Sequence, residues 1–233
     1  SINNLGYMHE YGFGVNKDAA KAFDLYERAA NLGDSYAKTN LARCYKDGLG
    51  VEADHDKAWG LIVEAAEEDQ EPYAQKTLGY WYLNGEVVEQ DDAEAFQWFS
   101  SAAEQGDLWA CNTAGWMCEV GRGGDPETRS GPEDESATQT GSLRQACDFF
   151  RKAAEGGLAQ AQWNLGRMHE QGRGVGRNLD EAIRWYRLAA RQFHQKAIDA
   201  LKRLDVDPHG PVTRPAAPGV AREVEERVRL AME

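Results

Sequence analysis

Apolar and small side chains recur along this chain at spacings of three and four residues, interrupted at intervals by glycine-rich turns. Ala37, Leu41, Ala42 and Tyr45 place one such face on a helix. Gly48 and Gly50 then end it, because glycine reaches left-handed backbone angles at little cost. A second apolar series follows each turn, as in Ala182, Ile183, Trp185 and Tyr186. It starts behind a short polar residue suited to cap a helix N-terminus: Asp18, Asp54, Asp91, Ser142 and Asn178. The predicted unit is helix A, a tight turn and helix B.

That unit repeats. Leu5-Gly6, Leu41-Ala42, Leu78-Gly79, Ala114-Gly115 and Leu165-Gly166 mark successive copies and Leu201 opens a sixth, with steps of 36, 37, 36, 51 and 36 residues. Gly-x-Gly-Val turns at Gly12, Gly48 and Gly172 keep the same step, as do Ala-Ala pairs at Ala29, Ala65, Ala102, Ala153 and Ala189. The copies run over about 2–37, 38–74, 75–110, 111–161 and 162–197, followed by a capping helix at 198–204. Small residues at fixed places predict close helix packing, so Gly6, Gly79, Gly115 and Gly166 are read as packing residues. The one long step reflects an insertion, 121–141, whose Gly, Pro, Ser, Thr and acidic content predicts a loop leaving the A–B turn. A flexible loop is the simpler reading, and a partner contact is the other.

The string A-x-x-x-L-G-x-x-Y-x-x-G-x-G-V-x-x-D-x-x-x-A-x-x-W-Y-x-x-A-A resembles the Sel-one-like repeat, a relative of the tetratricopeptide repeat, over about residues 2–204. The resemblance implies an all-α fold, a right-handed α/α superhelical solenoid of about five repeats with a C-terminal helix. It implies one elongated domain whose concave side grips a protein segment; it does not imply an enzyme, and neither catalysis nor a cofactor is expected. By alignment with the tetratricopeptide pattern, the residue after each Leu-Gly faces that groove: Tyr7, Arg43, Tyr80, Trp116 and Arg167. Flanking rows are Asn3, Thr39, Lys76, Asn112 and Trp163 on one side, and Glu10, Lys46, Leu83, Glu119 and Glu170 on the other. Core packing is the competing account of Tyr80 and Trp116. The expected function is a non-catalytic scaffold or adaptor, with an inhibitor, immunity or regulatory protein that blocks a partner enzyme as the alternative.

Charge sharpens this picture. The net charge is −13, but residues 1–120 carry 8 Lys/Arg against 22 Asp/Glu, while 143–203 carry 12 against 6. An acidic body argues against nucleic acid, which needs a basic footprint. The last repeat, with Arg167, Arg173, Arg177, Arg184, Arg187 and Arg191, retains the makings of a local anion site. The uneven distribution also offers steering of a charged partner or head-to-tail contact between copies.

Catalytic and metal chemistry find no support in the spacing. His9 and His169 replace the Tyr of the repeat within MHEYGFGV and MHEQGRGV, and read as core substitutes. Gly172 to Gly176 follows a helix, whereas phosphate-binding glycine loops follow a strand. Cys44, Cys111, Cys118 and Cys147 read as buried, inert thiols without metal-site clustering. Some secreted members of the family pair a cysteine ending helix B with one opening the next helix A. Here Ala103 stands opposite Cys111, so that staple is missing.

At the ends, Ser1 to Leu5 fall within a helix A with no Met or capping sequence ahead, which reads as a fragment or processed product. No signal peptide or membrane-length apolar run is visible, so the chain as given is expected to be soluble without membrane insertion. Residues 205–219 read as a Pro-rich linker. Residues 220–232, with Val220, Val224, Val228 and Ala231 on one stripe, read as an amphipathic helix that docks on the solenoid or on a partner.

Overall fold

The computed structural model describes residues 1–123 and 135–212, and every regular element among them is helical. In chain order these are α1 (Ile2–Tyr11), α2 (Ala19–Ala30), α3 (Ser35–Asp47), α4 (His55–Val63), α5 (Pro72–Asn84), α6 (Asp92–Glu104) and α7 (Leu108–Val120). They continue as α8 (Glu135–Glu155), α9 (Ala159–Gln171), α10 (Leu179–Ala190) and α11 (Gln195–Arg203). Contacts divide the chain into two compact units, 1–133 and 134–233. Within each unit successive helices pack on one another, and α3 also touches α5, the next A helix. This is the A–B stacking that the sequence pattern predicts.

The caps follow the short polar residues. Asp18, Asp54, Asp91 and Asn178 each accept a bond from a first-turn backbone N–H, satisfying donors that helix termini leave open. Ser142 does not, because α8 begins earlier, at Glu135, and Ser142 lies inside it. The end of the insertion thus extends helix B instead of looping: Glu135 to Thr140 hold no Gly or Pro, and the single Gly141 is carried within the helix. Ser1 itself caps α1. Of the remaining insertion, 124–134 lie outside the described residues, as do 213–219 of the expected linker and the expected helix 220–232. The described start of that linker folds back: Val206 packs with the last core cluster and Arg187 donates to the carbonyls of Asp207 and Pro211.

Repeat glycines act as close-packing points. A Cβ on Gly6 would lie 2.8 Å from the Tyr26 ring, and one on Gly166 would lie 2.7 Å from the Tyr186 ring. In the second copy the small residue is Ala42, and the facing position holds Ile62, with both fully buried in one cluster. The second glycine of the turn serves the stacking of repeats. Gly50, at φ +76°, brings its Cα so near α2 that a Cβ would stand 2.2 Å from the Ala19 carbonyl oxygen. Gly174 stands the same way against Leu143. In the third copy Val87 takes that place at φ +64°, an unusual angle for a β-branched residue, and packs its side chain against the core cluster instead.

The single 37-residue step also has a structural reading. One more residue separates Ala66 from the cap Glu71 than separates Ala30 from Asp34. Helix α4 takes it up by passing into a π-turn at Glu64–Glu68, which accommodates an extra residue without breaking the helix.

Candidate functional site

The predicted groove rows lie on the A helices, so the packing of those helices decides what each side chain can do. In the first unit the central row runs Tyr7, Arg43, Tyr80, Trp116. Tyr7 and Trp116 are exposed, at 46% and 38%. Tyr80 is half-buried, edge-on to Phe99 at 4.8 Å with its hydroxyl 3.1 Å from Thr113 Oγ1, so packing engages it as well. Arg43 donates to Glu10 Oε1 (2.9 Å), Tyr11 Oη and Asn40 Oδ1.

The flanking rows are largely spent on ties within the chain. Lys76 pairs with Asp107 at 2.6 Å and Lys46 with both Asp47 and Glu86. Glu10 is buried and receives the Tyr26 hydroxyl at 2.7 Å, while Thr39, Leu83 and Asn112 are buried and Asn3 and Glu119 are half-buried. Burial, together with the Glu10 carboxylate, raises the Tyr26 phenol above its ordinary value, so it remains a donor.

A further row escapes the sequence reading. Tyr36, Tyr73 and Trp109 each sit seven residues before a central-row position, which is two helical turns along the same stripe. Tyr36 and Trp109 are 53% exposed, and Tyr36 stacks on Tyr73 at 5.7 Å. At the chain start Tyr7, Tyr11 and Phe13 form a second exposed aromatic group, with ring centroids 4.6 to 5.9 Å apart. The A-helix face of this unit is therefore aromatic, over a layer of ion pairs linking neighbouring repeats.

In the second unit the same register produces a pocket of about 550 Å³ between α9, α10 and α11. Predicted residues Trp163, Arg167 and Glu170 line it, joined by Arg177, Lys196 and Arg203. Arg203 is one 36-residue step beyond Arg167 and belongs to the central row; the motif stops short of it because Lys202 replaces the small residue. Glu170 accepts the Tyr186 hydroxyl (2.7 Å) and two bonds from Arg203 (2.7 and 2.8 Å). This repeats the Glu10–Tyr26–Arg43 arrangement of the first copy. Arg167 and Lys196 both stand over the Trp163 ring, at 5.4 and 5.1 Å from its centroid.

The other candidates for chemistry are structural. All four cysteines are buried thiols outside any disulfide. Burial pushes the Cys44 and Cys118 thiols up to about 12, which suppresses the nucleophilic thiolate. A thiol-reactive dye added to the native protein should leave Cys44 and Cys118 unmodified until denaturant is added; prompt labelling of either in the native state would contradict their burial. Cys111 lies against the Ala103 carbonyl oxygen at 3.6 Å, the neighbourhood the repeat register assigns to it. His169 is lowered by burial and so is neutral near pH 7. Among the described residues no three His, Cys, Asp or Glu are grouped to hold a metal ion, and no helix is long and apolar enough to cross a membrane.

Comparison with known proteins agrees with this architecture. The Sel1 repeat model matches residues 1–34, 35–69, 72–107, 139–158 and 159–192. A solved structure, the Sel1 repeat protein from Oxalobacter formigenes, is 29% identical and superposes with a TM-score of 0.71 over 99% of this chain and 86% of its own. Among curated proteins, the chitin synthase regulator SKT5 of Saccharomyces cerevisiae is 29% identical over 76% of this chain, which spans 24% of that protein. The exopolysaccharide production negative regulator of Rhizobium meliloti is 26% identical over 82% of this chain and 58% of its own length. With more than half its residues matched in five copies, the chain belongs to the Sel1 repeat family.

Proposed function

We propose that the protein is a non-catalytic interaction scaffold that holds a protein segment against the A-helix face of its repeats. The carrying observation is the exposure of Tyr36 on α3 and of Trp109 and Trp116 on α7, all on A helices of the first unit. Tyrosine and tryptophan are the types that dominate binding energy at protein interfaces, since they bury large rigid surfaces with few rotatable bonds. The paired Lys46 and Lys76 contribute by fixing the spacing of the repeats beneath that surface.

A regulatory role, in which the bound protein is an enzyme held in check, is the second reading. Two of the relatives carry regulator in their names, and this supports it. Both readings place binding on the same face.

Trp109→Ala with Trp116→Ala tests the assignment. Both rings are exposed, so the thermal midpoint should be nearly unchanged. A partner captured and cross-linked by the parent protein should bind the double variant at least about 30-fold more weakly, the effect of one lost anchor of about 2 kcal/mol. Unchanged capture by the folded variant would remove this face from consideration. If the captured partner is an enzyme, inhibition of its activity by the parent protein selects the regulatory reading.

A further inference from the structure

We propose that the pocket of the second unit is an acidic-peptide site: it takes a partner segment carrying two or more Asp or Glu side chains next to an apolar residue. The proposal rests on the reading of the A-helix face as the binding face and names the chemistry that one part of it selects.

Cations outnumber carboxylates in the pocket lining. Four cations, Arg167, Arg177, Lys196 and Arg203, face two carboxylates, Glu170 and Asp199. Glu170 is already engaged from within the protein, by the Tyr186 hydroxyl and by Arg203 Nη2, which reaches both of its oxygens. Asp199 accepts from Gln195 at 2.8 Å and sits with Lys196 on the α11 side of the pocket. Arg177, which also lines the pocket, donates Nε to the Glu170 carbonyl at 3.1 Å. The lining therefore holds more cations than carboxylates, in a chain whose net charge is −13.

Its walls are suited to a peptide more than to a bare ion. The Trp163 ring holds Arg167 and Lys196 near it, which pre-orients two cations beside an apolar surface. A carboxylate reaching Lys196 gains a charge-assisted hydrogen bond, and the residue carrying it lays its apolar stem on the indole. A volume of about 550 Å³ is several times what one small anion fills and lies in the range of sites for larger ligands. Nucleic acid is disfavoured because the positive charge is confined to one pocket instead of forming the continuous footprint that phosphate chains need.

Panning a displayed library of random dodecapeptides against the whole protein, followed by fluorescence anisotropy on the enriched sequences, tests the proposal. Peptides displaced by Trp163→Ala should carry paired acidic residues flanking an apolar one. Lys196→Glu, at an exposed position that leaves the Glu170 bonds in place, should weaken them by about tenfold or more, and raised salt should weaken them further. Amide replacement of the peptide's Asp and Glu should match that loss. Enriched peptides that are neutral or basic yet still depend on Trp163 would overturn the acidic specificity and leave the scaffold reading intact. Enrichment of no peptide dependent on Trp163, Trp109 or Trp116 would overturn both. Concentration-dependent self-association abolished by Lys196→Glu, with no acidic peptide enriched, would give the pocket to the acidic half of a second copy and overturn the proposal.

Discussion

Gly50→Ala should cost the protein about 3 kcal/mol or more, read as a fall in the urea midpoint by far-UV circular dichroism. Two penalties combine. An alanine at φ +76° pays about 1–2 kcal/mol for a left-handed backbone. Its Cβ would also stand 2.2 Å from the Ala19 carbonyl oxygen and 2.5 Å from its carbon, so α2 must be pushed away from the second repeat. Overpacking of this kind adds about 1–3 kcal/mol. Gly14→Ala separates the two. Gly14 has the same turn position and φ +70°, but a Cβ there would meet only the Met8 side-chain tip at 3.7 Å. It should show the backbone penalty alone. Equal losses at Gly14 and Gly50 would mean that the stacking contact contributes nothing.

Gly166→Ala should cost about 2 kcal/mol although alanine favours a helix by about 1 kcal/mol. The new methyl would lie 2.7 Å from the Tyr186 ring and 3.2 Å from the Ala182 carbonyl oxygen. The ring is held in place: it is 1% exposed, and its hydroxyl is bound by Glu170. The second repeat solves the same problem with Ala42 facing Ile62. In a Tyr186→Ile background, Gly166→Ala should therefore become close to neutral. The measurement is the coupling energy from thermal or urea unfolding of the four proteins, and contacting residues of this kind typically couple by about 0.5–3 kcal/mol. An unaltered cost in the isoleucine background would show that the glycine answers to something other than the ring. Tyr186→Ile itself is expected to destabilise, because it strips one donor from Glu170 and leaves Arg203 to satisfy that carboxylate.

Both cases show why the repeat was legible. A helix pair stacked on its own kind meets the same neighbour at every step, so each geometric demand recurs at a step of about 36 residues and writes itself into the chain. Gly6 and Gly166 mark where an aromatic ring approaches, Gly50 and Gly174 mark where the next repeat's turn touches helix B, and Asp18, Asp54, Asp91 and Asn178 mark where helix B begins. Ser142 misled because a capping residue is also an acceptable interior residue when the preceding sequence can be helical, as 135–141 can.

The proposed binding face was legible only in part. Its residues could be listed from the register, and Trp163, Arg167 and Glu170 do come together around one pocket. What each side chain contributes depends on neighbours a repeat away, which a one-dimensional pattern does not supply. Lys46 and Lys76 occupy groove positions in sequence, yet Glu86 and Asp107 reach across from adjacent elements to hold them. Lys196 and Arg203 complete the pocket from α11, where the repeat signature has already faded. The sequence by itself determined the helical class, the length of the unit, most of the caps and the places of close packing, since these are local or strictly periodic demands. Tertiary structure decided which charges are neutralised, which aromatics stay exposed and where cations gather, because those outcomes depend on pairing across tens of residues, where charge and distance outweigh periodicity.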